Sequence, residues 1–403
     1  MNENELIIIE GRSAADMAKE LCRRAFLADM IRRKCPGREP LIAVKPNLLG
    51  PIPAEDGATT HPEIAEAVVS YLQENGFQRI VVMESSWVGD KTSDSLLVTG
   101  FGELCSRMGV PFWDLQEDRG VRVDAAGMEL NICERVQKVD YLINLPVLKG
   151  HCQTRMTCAL KNMKGCIPAS EKRRFHRMGL HKPIGHLCAA VHQDFILTDV
   201  ICPDLLFEDG GNPVRLDRMI CGVDPVLMDA YGARVIGVDV REVEYIGTAA
   251  RLGIGCADLS GAKISCLLEK RELLQSELAQ SELPQSELSP NTDASAQKTE
   301  YISAEVPELP WNSDPGRELV RLRELVDEVD SCSACCGTLM PVLRRLEEEG
   351  LLDRIPDKIC IGQGYRGKTG RLGIGNCTSR FEHTLKGCPP AAEEMYRFLS
   401  GLD

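Results

Sequence analysis

Six of the 18 cysteines fall in the 57 residues from Cys332 to Cys388, while the other 12 are scattered singly along the chain. Clustering of this kind marks ligands rather than small buried apolar side chains. Cys332-Ser-Ala-Cys335-Cys336 sets a C-x2-C pair at the start of a helix, where two thiolates reach one metal centre and the helix dipole favours their negative charge. Cys377 follows Gly-Ile-Gly-Asn, and Cys388 sits in Lys-Gly-Cys-Pro-Pro; Gly and Pro let the backbone curl around a bulky inorganic centre. One close pair and two isolated cysteines suit a [4Fe–4S] cluster better than zinc, whose structural sites usually take two close pairs. The expected ligands are Cys332, Cys335, Cys377 and Cys388, with zinc as the alternative occupant. Cys336 would face away from its neighbour on a helix and Cys360 lies within an apolar strand, so both are reserves.

A second constellation is basic. Between Lys149 and His186 stand nine Lys/Arg, one acid and four of the seven histidines, a balance of +8 inside a chain of net charge −13. Segregation this strong marks a site for something anionic. The segment follows a strand ending in Asn144-Leu-Pro-Val-Leu-Lys149-Gly-His151, and in open α/β sheets the residues past a strand's carboxyl end face the ligand crevice. Lys149, His151 and Lys161 are therefore the expected catalytic groups: lysines neutralise carboxylate or phosphate, and an imidazole moves protons near neutral pH. Lys45 and Asn47 at another strand end, His61 at a helix start, and Lys164, His176 and His181 farther along are expected to hold the substrate. For Lys172–Arg174 a solvated basic face stands as the alternative to a site role. Glu208–Pro213 and Asp224-Pro225 read as a turn and a helix cap, with Asp209 or Asp229 available to orient a lysine. No G-x-G-x-x-G opens a helix after a strand and no P-loop occurs, so a nucleotide has no motif to hold it.

The elements that must position these groups are legible over the first 265 or so residues, where strand-like apolar runs alternate with amphipathic helices. A helix over Ala14–Ile31, a strand at Leu41–Val44, a helix from Pro62 with Thr60 as N-cap, and a strand at Arg79–Met83 come first. Strands at Tyr141–Leu145 and Leu205–Phe207 and a helix over Pro225–Ile236 follow. The expected class is α/β: a mainly parallel or mixed sheet flanked by helices, with a smaller cysteine-rich α/β domain at the C-terminal end. Gln-Ser-Glu-Leu repeats at Gln275, Gln280 and Gln285 bury too little to offset their ordering entropy. The expected division is an α/β domain over 1–268, a low-complexity linker or insertion over 269–312, and a cysteine-rich domain over 313–403. The last begins with a charged helix near Pro315–Val329, then a helix over Cys335–Glu349, a strand at Lys358–Gly362 and a final helix starting at Pro389-Pro390.

Val44-Lys-Pro-Asn-Leu-Leu49, Ala58-Thr-Thr-His-Pro62, Asp140–His151, Ala159-Leu-Lys-Asn-Met-Lys-Gly165 and Gly222–Asp229 occur in that order, and together they resemble the DUF362 family of prokaryotic proteins. The resemblance covers about residues 40–255. It implies an iron–sulfur protein, since members are commonly described so and often carry a ferredoxin-like segment. The chain lacks the C-x2-C-x2-C-x3-C-P run of such segments, and the family carries no assigned reaction.

Net charge −13 argues against a nucleic-acid partner. The longest apolar runs, such as Leu6–Ile9, are strand-sized, so no membrane span is expected. The acidic N-terminus lacks the basic and apolar regions of an export signal, which points to the cytoplasm. These features lean towards a cytoplasmic iron–sulfur oxidoreductase or electron-transfer protein that acts on a small anionic substrate and meets a redox partner protein. The alternatives are a non-catalytic iron–sulfur binding or assembly protein, and a redox-independent Lys/His acid–base enzyme with a structural metal.

Overall fold

Short apolar runs bounded by turn residues become the strands of one large sheet. The computed structural model describes residues 1–151, 153–270, 299–309, 321–331 and 333–402. The strands are β1 (Glu5–Glu10), β2 (Ile42–Lys45), β3 (Ile80–Glu84), β4 (Phe112–Asp114), β5 (Gly120–Asp124), β6 (Glu129–Cys133), β7 (Tyr141–Asn144), β8 (Lys149–His151), β9 (Arg155–Thr157), β10 (Phe195–Val200), β11 (Arg218–Gly222), β12 (Lys263–Glu269) and β13 (Tyr301–Ala304). Nine of them form a sheet in the order β13-β12-β1-β11-β10-β7-β2-β3-β4, while β5-β6 and β8-β9 are separate hairpins. From β10 to β4 all pairs are parallel; the antiparallel pairs are β10-β11, β11-β1 and β12-β13.

Strands in the middle of such a sheet are covered on both faces, which is why β2, β3 and β7 are buried at every residue. Period-two alternation sends their side chains to two separate cores: Ala43, Val81 and Leu142 enter one, Ile42, Val44, Val82 and Ile143 the other. The helix Pro225–Ile236 starts where expected because Asp224 accepts from the amides of Val226 (2.7 Å) and Leu227 (3.0 Å).

Four local expectations are corrected. The helix at residues 14–31 is two helices, Ala14–Arg24 and Leu27–Lys34, broken where Phe26 takes the left-handed conformation (φ 56°). His61, not Thr60, is the N-cap of helix Pro62–Glu74; the Thr60 hydroxyl instead donates to the Leu145 carbonyl and accepts from the Asn47 amide. Leu205–Phe207 is a buried loop rather than a strand, because the Asp204 carboxylate takes the amides of Leu206, Phe207 and Asn212 that a ladder would need. Within the segment expected to link the domains, Tyr301–Ala304 adds the edge strand β13 to the main sheet. The Gln-Ser-Glu-Leu repeats lie outside the described residues.

The C-terminal unit is a second, smaller sheet of four parallel strands, β14 (Val326–Glu328), β15 (Ile359–Ile361), β16 (Leu372–Ile374) and β17 (His383–Leu385). Val326–Glu328 therefore corrects the helix expected there: the pairing of β14 with β15 outweighs its helical charge pattern. Helices Ser333–Glu348 and Ala392–Ser400 pack on it. Leu322, Leu339, Met340 and Leu343 join the same apolar core as Leu148, Met156 and Leu205, so the unit is seated on the larger body. Arg323 Nη2 fastens the seam by donating to the carbonyls of Leu205 (2.9 Å) and Arg155 (3.4 Å).

Candidate functional site

The carboxyl ends of β2, β3 and β7 deliver Lys45, Glu84 and Asn144 to one edge of the sheet, where a cavity of about 440 Å³ opens. Six of the residues singled out from sequence line it: Asn47, Lys149, His151, Lys161, Lys164 and His176. Lys45 lies just behind the wall. Its Nζ is fully buried, 2.7 Å from Glu84 Oε2, and also donates to the Pro46 carbonyl at 3.0 Å. A Cβ on Gly165 would stand 1.7 Å from Glu84 Oε1 and 2.7 Å from Lys45 Nζ, so only glycine lets that backbone close over the pair.

Lys149 projects from β8 and is 1% exposed. Its Nζ donates to the Ala58 carbonyl at 2.6 Å and to Asn47 Oδ1 at 3.4 Å. Burial, reinforced by the Lys161 charge, lowers its pKa from 10.5 to about 7. Asn47 is itself held by an amide chain: Asn47 Nδ2 donates to Asn162 Oδ1 (2.9 Å), Asn162 Nδ2 to Asn144 Oδ1 (2.7 Å), and Asn144 Nδ2 to Gln193 Oε1 (2.6 Å). A buried, fully paired chain of this kind fixes the acceptor that faces Lys149.

His151 Nδ1 accepts from the amides of Gln153 (3.0 Å) and Thr154 (3.3 Å), which assigns the ring proton to Nε2, 3.9 Å from Glu208 Oε1. Burial holds its pKa well below the usual value, with Lys161, Lys164 and Lys149 adding to the effect and Glu208 opposing it. His176 is likewise kept neutral, lowered to about 4 by burial and then by Lys164 and Lys161. The cavity thus combines neutral imidazoles, a lysine that titrates near neutrality and the carboxyl groups of Glu208 and Asp209, a set able to bind an anion and to exchange protons with it.

His61 and His181 stand away from this lining. His61 Nδ1 lies 2.7 Å from Asp199 Oδ2, and His181 stacks on Tyr245 while its Nδ1 accepts the Tyr245 amide at 3.3 Å. Lys172, grouped with a solvated face from its sequence, is buried: Nζ donates to Ser85 O (2.6 Å), Ser85 Oγ (2.7 Å) and Ser86 O (2.7 Å). Burial lowers it to about 8. Asp229 orients no lysine directly; its two oxygens accept the Leu160 amide, both at 3.3 Å, and so seat the short helix Ala159–Asn162 that carries Lys161 and Asn162. Glu84, Ser85, Trp87 and Asp90 were missed. The signal for Glu84 was present, since a carboxylate ending an apolar strand obeys the same edge rule that singled out Lys45.

The cysteines follow a similar rule in the small sheet. Cys377 comes three residues after β16 and Cys388 three after β17, both past carboxyl ends of parallel strands. The two segments are tied reciprocally: the Asn376 amide donates to Gly387 O at 2.8 Å and the Gly387 amide to Asn376 Oδ1 at 3.0 Å. Gly375 has φ +95°, and a Cβ there would sit 3.4 Å from Cys335 Sγ, so the Cys335 segment meets the same edge. Cys335 is buried, Cys377 half-buried and Cys388 exposed; Cys332 lies outside the described residues. Among the described residues, no group of three or more His, Cys, Asp or Glu is spaced to grip a single metal ion. Of the reserves, Cys360 stays in β15, and burial raises its thiol. Cys336 lines a recess shared with His151, and a Cβ on Gly337 would lie 3.8 Å from Asp209 Oδ2.

Fold and site together define an α/β protein with a buried Lys/His crevice and a smaller cysteine-rich unit seated on the larger body. Residues 42–234 match the model of the family described as Domain of unknown function (DUF362). The chain is 25% identical over 225 residues to a thylakoid-associated protein of Synechocystis sp., an alignment covering 53% of this chain and 68% of that one. Two solved structures are more distant: the lactate racemase apoprotein from Thermoanaerobacterium thermosaccharolyticum (12% identity, TM-score 0.37, 59% of this chain and 57% of the other) and a protein from Thermotoga maritima (13%, 0.31, 60% of each). The chain spans less than two thirds of either. Among the described residues no helix is long and apolar enough to cross a membrane.

Proposed function

We propose that the protein is an iron–sulfur oxidoreductase, in which a [4Fe–4S] cluster held by Cys332, Cys335, Cys377 and Cys388 serves a small anionic substrate bound in the Lys149 cavity. The observation that carries this reading is the nearness of the helix bearing Cys335 to the cavity: its Cys336 shares a recess with His151, and a Cβ on its Gly337 would lie 3.8 Å from Asp209 Oδ2. The donor set favours the cluster. Cys377 and Cys388 stand in loops past two strand ends and Cys335 near the start of a helix, with the positive-φ Gly375 against Cys335 Sγ, which leaves room for a bulky inorganic centre. When bound, the cluster supplies one-electron transfer.

The remaining work belongs to the chain. Lys161 and Lys164 face the cavity and meet the anion's charge. Lys149, titrating near 7, holds a proton on Nζ that it can give to or take from the substrate at neutral pH. His151 offers Nε2–H as a fixed donor, and burial excludes water from both groups. A redox partner protein would supply the electrons. The protein is to be purified without oxygen, assayed for iron, sulfide and zinc, and examined by EPR after reduction. Iron and sulfide that are lost in Cys377→Ser and kept in Cys202→Ser support the reading; stoichiometric zinc without iron overturns it.

A second reading is favoured by the pairing of a near-neutral Lys149 with a neutral His151: an acid–base enzyme that needs no electrons. Turnover that persists after the metal is removed would select it.

A further inference from the structure

Away from the lysine cavity, His61 meets Asp199 and Cys202, which lie close together in sequence, in a nucleophile–imidazole–carboxylate array. His61 Nε2 is 3.5 Å from Cys202 Sγ, and His61 Nδ1 is 2.7 Å from Asp199 Oδ2. Asp199, near the carboxyl end of β10, is fixed in turn: Oδ2 accepts the His61 amide at 2.9 Å and Oδ1 the Ile201 amide at 3.1 Å. The carboxylate therefore sets the ring's orientation and directs Nε2 at the sulfur, the arrangement that activates a thiol. Cys202 is half-buried and remains reachable, whereas most other cysteines of the large body are buried.

The electrostatics agree. Burial lowers the His61 pKa, but Asp199 and then Cys202 outweigh it and raise it to about 11, so the ring stays cationic at neutral pH. The ring is thus held as a charged donor directed at the Cys202 sulfur. The other groups that face the sulfur are the carbonyls of Ala54 (3.6 Å) and Glu55 (3.8 Å) and the more distant Arg215, which is itself paired with Asp217.

We propose that Cys202 is a modification site: a thiol activated by His61 and positioned through Asp199 that exchanges with low-molecular-weight disulfides. The Cys202 sulfur attacks one sulfur of the disulfide; that S–S bond breaks, a mixed disulfide forms on Cys202, and the departing thiolate takes up the proton from solvent. Electrons balance without an outside oxidant: the Cys202 sulfur rises from thiol to disulfide level as the departing sulfur falls from disulfide to thiol level. The site is also linked to the cavity. The turn touched by Cys202 (Ala54–Asp56) leads directly to Ala58, whose carbonyl receives Lys149 Nζ.

The test uses the full chain with dithiobis(2-nitrobenzoate) as the disulfide probe at pH 6.5, with modified peptides quantified by mass spectrometry. Cys256, which is exposed, is the internal reference. Cys202 should react roughly tenfold or more faster than Cys256 in the unaltered protein, and His61→Gln should remove that advantage without changing Cys256. Cys202 reacting no faster than Cys256, or unaffected by His61→Gln, overturns the proposal. The first comparison needs no variant, so a poorly folding His61→Gln leaves the proposal open to refutation. The cysteines tested are not cluster ligands, so the outcome is independent of the proposed function.

Discussion

Replacing Lys149 with methionine keeps the length of the side chain and removes its charge, and the pH dependence of stability should change in a defined window. In the folded protein the ammonium titrates near 7 rather than 10.5, because it is buried. Between those values the unfolded chain holds a proton that the folded one has released, so stability rises with pH by about 1.4 kcal/mol per pH unit. Below pH 7 both states are charged and the native protein carries the whole cost of burial, about 5 kcal/mol. Methionine removes that cost but leaves Ala58 O and Asn47 Oδ1 without their donor, a loss of about 1–3 kcal/mol for each acceptor left unpaired. Whatever the net offset at pH 6, the stability of Lys149→Met relative to the unaltered protein should fall by about 2 kcal/mol between pH 7 and 8.5. Urea unfolding followed by tryptophan fluorescence at closely spaced pH values measures this difference. Parallel curves across the window would refute the assignment of a near-neutral, buried Lys149.

Glu84→Gln leaves Lys45 buried beside a neutral partner and should cost about 3–5 kcal/mol, while Lys45→Met combined with Glu84→Leu should cost less than Glu84→Gln alone; denaturant midpoints decide it. Asp229 titrates near 7 when folded, raised by burial, so its favourable contribution is complete below about pH 4 and is lost as pH rises through 7. Asp229→Asn should flatten that decline in thermal melts, and an unchanged decline would contradict it. Binding of small carboxylates or phosphates, read by calorimetry, should weaken as pH rises through 7 and Lys149 loses its charge, and should be reduced in Lys161→Ala.

The parallel half of the sheet was legible because β2, β3 and β7 are continuous apolar runs, and the edge rule then led from strand ends to Lys45, Lys149 and His151. Local pattern does not carry pairings across long sequence distances. Lys172 looked solvated because its partners, Ser85 and Ser86, lie about 87 residues away. His61 looked like a crevice residue because it stands at a helix start, whereas Asp199, 138 residues on, turns its ring towards Cys202. The strand-like Leu205–Phe207 failed for a different reason: one carboxylate, Asp204, outcompetes a ladder for its amides. The cysteine cluster was visible from spacing, but its closeness to His151 and Asp209 was not, since only the packing of helix Ser333–Glu348 on the larger body creates it.

The central claim is tested most directly by metal analysis and EPR of the protein purified without oxygen, alongside Cys377→Ser. The account predicts about four iron and four sulfide per chain, a reduced-cluster EPR signal, and loss of both in the variant. Zinc in place of iron, or a cluster that survives Cys377→Ser intact, would contradict it.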